Sequence, residues 1–129
     1  MDHSDHVALL RPGVPTADSA ALWADLGAGD GAFTLALADL LGPGATLHTV
    51  DRDGAALAHG EAEVARRFPG VTVQPHTADF TRPLTLPPLD GIVMANALHF
   101  VHPSYWPVAI PVVVMDRVLV AGGVAVAGW

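Results

Sequence analysis

Residues 23–33 read WADLGAGDGAF, and this stretch predicts the architecture of the chain. The apolar run Ala20–Leu26 in front of the glycines is interpreted as a first strand. Glycines recur at positions 27, 29 and 31, where they let the backbone turn tightly and let a ligand approach without meeting a Cβ atom. Gly31–Leu41 then carries leucines at helical spacing and ends at Gly42. The stretch therefore predicts a strand, a glycine turn and a helix in direct succession, as at the start of an α/β unit.

The same alternation of strands and helices continues along the chain. Further strands are predicted at Ala45–Val50, Val71–Gln74, Gly91–Ala95 and Val124–Ala127, and further helices at Gly54–Phe68 and Pro103–Val120. The predicted strand Gly91–Ala95 is fully apolar, as is typical of parallel strands that are buried on both faces of a sheet. The pattern predicts an α/β fold with an open parallel sheet in a three-layer arrangement.

Length and composition limit the classes of protein. A chain of 129 residues has room for one compact domain, which we place at residues 20–129, after an N-terminal segment over residues 1–19. Hydrophobic residues make up 51% and charged residues 15% of the chain, so intrinsic disorder is a poor description. Asp116 and Arg117 interrupt the apolar stretch Val108–Trp129, which argues against a membrane-spanning helix.

The charged residues indicate which partners to expect. Six basic and 13 acidic residues give a net charge of -7, so we expect neither nucleic acid nor a membrane as a partner, but a small-molecule substrate. All six basic residues are arginines, which excludes a Schiff-base lysine and a P-loop lysine. The chain has no cysteine, which excludes a thiolate nucleophile and is compatible with a cytoplasmic location.

Candidate ligand-binding residues follow the predicted strands at the point where each strand ends. In an open parallel sheet, ligands bind outside the carboxyl ends of the strands. A carboxylate some 20 residues after a glycine loop is positioned to accept hydrogen bonds from both hydroxyl groups of a ribose. The candidates, in strand order, are Asp25, Gly27, Gly29 and Gly31, then Asp51, then Asp79 and Phe80, and finally Asn96 and His99.

The glycine loop is compatible with two cofactors. Gly27, Gly29 and Ala32 also satisfy the dinucleotide pattern G-x-G-x-x-G/A, so an NAD(P)-binding oxidoreductase is an alternative. Asp25 and Asp30 flank the loop, and their carboxylates would repel a pyrophosphate at the start of a helix but suit the ammonium group of an amino-acid-like ligand. These charges favour S-adenosylmethionine as the cofactor.

Taken together, these motifs resemble those of class I S-adenosylmethionine-dependent methyltransferases, which have a Rossmann-like sheet. WADLGAGDGAF resembles the first motif of that family, LHTVDRD (residues 47–53) the second, HTADF (76–80) the third and LDGIVMANALHF (89–100) the fourth. VLVAGG (118–123) resembles the turn before the fifth strand. The resemblance covers most of residues 20–127 and implies methyl transfer to a small acceptor on a sheet with strand order 3-2-1-4-5.

The resemblance also implies roles for individual residues in binding the cofactor. It places Asp25 and the glycines at positions 27, 29 and 31 at the methionine end of the cofactor. It places Asp51 at the ribose, and Asp79 with Phe80 at the adenine. Arg52 follows the ribose acid and departs from the apolar residue often found there in the family.

The residues after the fourth strand are the candidates for catalysis. By resemblance, Asn96 would lie near the sulfonium and the methyl acceptor. His99 is the best-placed general base, which is needed only where the acceptor is a hydroxyl or an acidic carbon. His99 and His102 are three residues apart, but no third ligand has a matching spacing, so no metal site is predicted.

Each of these features also has a purely structural interpretation. Glycines between a strand and a helix are often only turn formers, and Asp51 could be the N-cap of the following helix. Phe80 could be a core residue and Asn96 a cap at the end of a strand. A non-catalytic cofactor-binding domain is therefore a further alternative.

The C-terminal end of the sequence suggests a shortened form of the fold. The resembling family continues past the fifth strand with two more strands, whereas this sequence stops at Trp129. We expect a truncated domain that lacks these two strands and leaves Val124–Ala127 at the edge of the sheet. An apolar edge is a template for pairing with another chain. The sequence thus predicts either a homodimer through this edge or a form without a closed acceptor pocket.

Overall fold

The computed structural model of the protein describes residues 2–14, 20–79, 86–95, 112–115 and 118–121. Its helices are α1 (His3–Leu10), α2 (Ala32–Leu41) and α3 (Gly54–Arg67), with a 3-10 turn at Arg11–Gly13. Its strands are β1 (Leu22–Leu26), β2 (Thr46–Asp51), β3 (Thr72–Thr77), β4 (Gly91–Ala95), β5 (Val112–Met115) and β6 (Val118–Ala121). The strands form one sheet in the order β3-β2-β1-β4-β6-β5.

The first four strands form the parallel part of the sheet. β1 pairs in parallel with β2 on one side and with β4 on the other, and β2 pairs in parallel with β3. This confirms the predicted open parallel α/β sheet and its strand order 3-2-1-4. Trp23 is in register with Leu47 of β2 and Gly91 of β4, which places the carboxyl ends of β1, β2 and β3 at one edge.

Two antiparallel strands complete the described sheet beyond β4. β6 pairs antiparallel with β4, with Ala95 opposite Val118, and β5 pairs antiparallel with β6. The predicted helix Pro103–Val120 is therefore wrong where the structure describes it, at residues 112–115 and 118–120. The two segments together contain five valines in eight residues, and valine is a β-branched residue that favours strands. The predicted strand Val124–Ala127 and its edge lie outside the described residues.

One hydrophobic core joins the helices to the sheet. Side chains from α1 and α2, together with Val64 of α3, pack against Trp23 of β1, Leu47 of β2 and Val93 of β4. Trp23, Leu47 and Val93 have at most 1% of their surface exposed. This packing holds β1 and α2, and thus the glycine loop between them, in a fixed relation.

The N-terminal segment contributes a helix that the sequence analysis does not predict. Asp2 caps α1, because its side chain accepts from the Asp5 N–H and its own N–H donates to the Asp5 carboxylate, both at 3.0 Å. Val7 and Leu10 of α1 are buried in the core. The signal was a capping box in which Asp5 takes the place of the usual glutamate.

Candidate functional site

The glycine loop between β1 and α2 is attached to the carboxyl end of β2. The N–H groups of Gly27 and Ala28 both donate to the carbonyl oxygen of Val50, at 2.7 and 3.0 Å. The loop closes on itself through a bond of 3.1 Å from the Gly31 N–H to the Ala28 carbonyl. The predicted loop therefore lies where two parallel strands end side by side, which is the position of ligand sites in such sheets.

The glycines of this loop have positive φ angles for which glycine is the favoured residue. The angles are 75° at Gly27, 55° at Gly29 and 97° at Gly31. A Cβ atom at Gly31 would lie 2.8 Å from the Cα atom of Gly60 in α3, whereas no described atom lies within 4 Å of a Cβ atom at Gly29. Gly31 thus permits close contact with α3, and Gly29 borders open space.

Asp51 at the end of β2 holds the loop and keeps acceptor capacity. Its Oδ2 accepts from the Gly29 N–H and its Oδ1 accepts from the Asp53 N–H, each at 2.9 Å. The side chain of Asp53, not that of Asp51, caps α3 by accepting from the Ala56 N–H. The N-cap interpretation of Asp51 is therefore wrong. Each carboxylate oxygen has a second lone pair, so the half-buried Asp51 can still accept hydrogen bonds from a ligand.

Asp25 lies at the end of β1, but on the inner side of the loop. Only 1% of its surface is exposed, and its Oδ2 accepts a hydrogen bond of 2.7 Å from the Thr34 hydroxyl of α2. Burial raises the pKa of Asp25 from 3.8 to about 6, although the bond from Thr34 lowers it. The carboxyl thus links β1 to the first turn of α2. Its contact with the methionine end of a cofactor stays a prediction.

Arg52 and Asp79 form an ion pair beside Asp51. The Arg52 Nη2 atom donates to the Asp79 Oδ2 atom at 2.6 Å. The backbone brings them together, because Asp51 is in register with Thr77 and the Ala78 N–H donates to the Asp51 carbonyl at 2.9 Å. Hydrogen bonds join the glycine loop to Asp51 and join Arg52, the next residue in the chain, to Asp79.

Three predicted site residues lie outside the described part of the chain. They are Phe80, Asn96 and His99. Their roles at the adenine, the sulfonium and the acceptor therefore stay predictions. The sequence analysis also missed one partner, Thr34. Its signal was a lone hydroxyl in an otherwise apolar stretch of α2, AFTLAL, which a buried helix face tolerates only when the hydroxyl is hydrogen-bonded.

The described residues contain neither a group of three possible metal ligands nor a membrane-spanning helix. His48 of β2 and His76 of β3 approach to 2.8 Å between ring nitrogens. No third histidine, and no carboxylate, of the described residues lies close enough to complete a metal site with this pair. Among the described helices none has the length and apolar character needed to cross a bilayer.

Comparison with protein families gives a match that covers most of the chain. A model of the methyltransferase domain family matches residues 24–123. The match begins in β1, includes the glycine loop, Asp51 and Asp79, and ends just beyond β6. No curated protein matches the chain.

Solved methyltransferase structures share the fold. A methyltransferase from Aquifex aeolicus has a TM-score of 0.59 at 19% identity, covering 78% of this chain and 53% of that one. Another from Mesorhizobium loti has a TM-score of 0.54 at 28% identity, covering 74% and 41%. Coclaurine N-methyltransferase, bound to N-methylheliamine and S-adenosylhomocysteine, has a TM-score of 0.57 at 23% identity, covering 73% and 27%. The chain spans about a quarter to half of the length of these structures.

Proposed function

Because this chain belongs to the methyltransferase domain family, we propose that it transfers a methyl group from S-adenosylmethionine to a small-molecule acceptor. The observation that carries the proposal is the position of Asp51. Its carboxylate is fixed by the Gly29 and Asp53 N–H groups at the end of β2, beside a loop that leaves open space at Gly29. A fixed acceptor next to exposed glycine backbone suits the ribose of an adenosine cofactor.

The charges near the loop support S-adenosylmethionine over a dinucleotide. Asp30 is exposed directly before the buried Gly31 that precedes α2, and a carboxylate there disfavours a pyrophosphate. The same carboxylate suits the ammonium group of a methionine moiety. The described residues thus fit the cofactor of the family at its amino-acid end as well as at its ribose.

We propose that the residues of the site mainly bind and orient. The cofactor would supply a methyl group on a sulfonium, and the sulfur would leave as a neutral thioether when the methyl group is transferred. No nucleophilic residue is therefore needed. The glycine loop would hold the methionine end, Asp51 the ribose, and Asp79 with Phe80 the adenine. Asn96 would align the acceptor with the methyl group, since alignment is the main contribution that the protein can make.

A general base is required only for some acceptors. For an acceptor hydroxyl or acidic carbon, His99 would remove the proton, and for an amine that is already neutral no base is required. The acceptor itself is a small neutral or cationic molecule in this proposal, in keeping with the net charge of -7. A cytoplasmic location and a homodimer through Val124–Ala127 remain expectations from the sequence, and light scattering after size-exclusion chromatography tests the latter.

The proposal is tested by calorimetric titration of the 129-residue chain with S-adenosylhomocysteine and, separately, with NAD. We expect S-adenosylhomocysteine to bind and NAD to give no heat of binding. Binding of NAD alone would replace the proposal with the oxidoreductase alternative. A methyl-transfer assay over small amines and phenols then separates an enzyme from a non-catalytic binding domain, for which cofactor binds but no acceptor is methylated.

A further inference from the structure

The ion pair between Arg52 and Asp79 spans the gap between two neighbouring strand ends. Arg52 is the first residue after β2, and Asp79 is the second residue after β3. The parallel register and the bond from the Ala78 N–H to the Asp51 carbonyl hold these two chain segments side by side. The pair therefore sits at the same edge as Asp51, on the side away from β1.

The exposure of the two side chains argues against a role in stability. The Arg52 side chain is 71% exposed and the Asp79 side chain 21% exposed. An ion pair with one partner so exposed contributes little to the stability of a protein. What the pair does achieve is orientation, because a guanidinium hydrogen bond of 2.6 Å fixes the direction of the half-buried carboxylate.

We propose that Arg52 is a positioning residue that makes the site selective for a 6-aminopurine. The inference rests on the proposed function, in which Asp79 lies at the adenine. A carboxylate accepts hydrogen bonds and donates none, so a carboxylate held toward the base favours an exocyclic amine and repels a carbonyl oxygen. Arg52 holds Asp79 in that role through the bond from its Nη2 atom.

The experiment compares two ligands that differ at one position of the base. Binding of S-adenosylhomocysteine and S-inosylhomocysteine is measured by calorimetry on the full chain and on Arg52→Met, Arg52→Lys and Arg66→Met. Arg66→Met is the matched control, because Arg66 also forms an exposed ion pair, with Glu63 at 2.8 Å and 67% exposure, on α3. It removes the same charge without touching the strand ends.

We expect the wild-type chain and Arg66→Met to share the same preference for the 6-amino ligand. In Arg52→Met that preference should fall by up to about fivefold, because an ion pair with so exposed a partner holds the carboxylate only weakly. Arg52→Lys should restore part of the preference, because an ammonium group can also donate to Asp79. A role in folding alone would change the affinity for both ligands equally.

The outcomes separate this inference from the proposed function. If the wild-type chain binds neither ligand, the proposed function is wrong and this inference falls with it. If the wild-type chain binds S-adenosylhomocysteine and Arg52→Met keeps the wild-type preference, only the role of Arg52 is wrong. An equal change in Arg66→Met would reduce the effect to net charge and would also overturn it. Circular dichroism checks that each variant is folded. If Arg52→Met does not fold, the ligand preference of Arg52→Lys is compared with that of the wild type.

Discussion

The glycine loop has an inward side and an outward side, which are built from the same two residue types. On the inward side, Gly31 is in close contact with Gly60 of α3, and the buried Asp25 carboxyl accepts a hydrogen bond from Thr34. Each of these contacts joins the loop to a helix. The fold therefore gives both the inward glycine and the inward carboxyl a structural role.

On the outward side, the same residue types do not join the loop to a helix. Gly29 borders space that no described atom fills within 4 Å of a Cβ position, and the half-buried Asp51 accepts from two backbone N–H groups while the cap of α3 is made by Asp53. The glycine loop, which is one motif in the sequence, therefore has two sides with different roles. Substitutions on the inward side should change stability, and those on the outward side should change binding.

The largest effect is expected for Gly31→Ala. The new Cβ atom would lie 2.8 Å from the Gly60 Cα atom, at a φ of 97° that side chains rarely adopt. Backbone strain and overpacking together should lower the free energy of unfolding by about 2 to 5 kcal/mol. Urea denaturation followed by circular dichroism measures the loss. A loss no larger than that of Gly29→Ala would show that the contact with α3 does not constrain the loop.

The next effect is a dependence of stability on pH through Asp25. Its pKa is raised from 3.8 to about 6 in the folded protein, so the folded state binds a proton more tightly than the unfolded state. The contribution of Asp25 to stability is thus fully present below pH 4 and is lost as the pH rises through about 6. The difference in pKa corresponds to about 3 kcal/mol.

Asp25→Asn isolates this dependence, because an amide oxygen can still accept from Thr34 and does not ionise. The unfolding free energy of Asp25→Asn relative to that of the wild type should rise by about 2 kcal/mol between pH 4 and pH 7, because the wild type loses stability as Asp25 ionises. Urea denaturation at several pH values gives this difference. A difference that is constant with pH would mean that Asp25 does not carry its proton as its burial requires.

A smaller change in stability is expected for Gly29→Ala. Its φ of 55° lies in the left-handed region, which costs a non-glycine residue about 1 to 2 kcal/mol, and the space around it is open. The variant should stay folded and bind S-adenosylhomocysteine more weakly, because the methyl group occupies the space where a ligand meets the backbone. Binding equal to that of the wild type would make Gly29 only a turn former.

The parallel part of the fold could be predicted from the sequence because local signals agree there. Apolar residues predominate in β1 and β4, and a glycine or proline follows each helix. β3 was predicted to end at Gln74 and continues to Thr77. Pro75 is tolerated in it because β3 pairs only with β2, and an edge strand can accommodate a residue that lacks an N–H group.

The errors come from segments whose structure depends on distant contacts. Helix α1 is short, and its apolar residues Val7 and Leu10 are buried in a core that is completed by α2 and the sheet. The residues of β5 and β6 form a long apolar stretch whose length suggested a helix, but pairing along β4 makes them strands.

The site was predicted as a set of positions but not as a set of contacts. The positions of Asp51 and the glycines follow from strand ends, which the sequence marks. The bond between Asp25 and Thr34, and the pair formed by Arg52 and Asp79, depend on the register of elements and on side-chain directions, which no local pattern encodes.

The central claim is that the outward side of the loop binds the cofactor through Asp51, and a pair of neighbouring substitutions tests it directly. Asp51→Asn and Asp53→Asn make the same change in charge two residues apart, and asparagine at position 53 can still cap α3. In calorimetry with S-adenosylhomocysteine, Asp51→Asn should lose affinity by about tenfold or more, which corresponds to about 1.4 kcal/mol. The affinity of Asp53→Asn should stay within about twofold of that of the wild type. Equal affinities in the two variants, with both folded by circular dichroism, would contradict the claim.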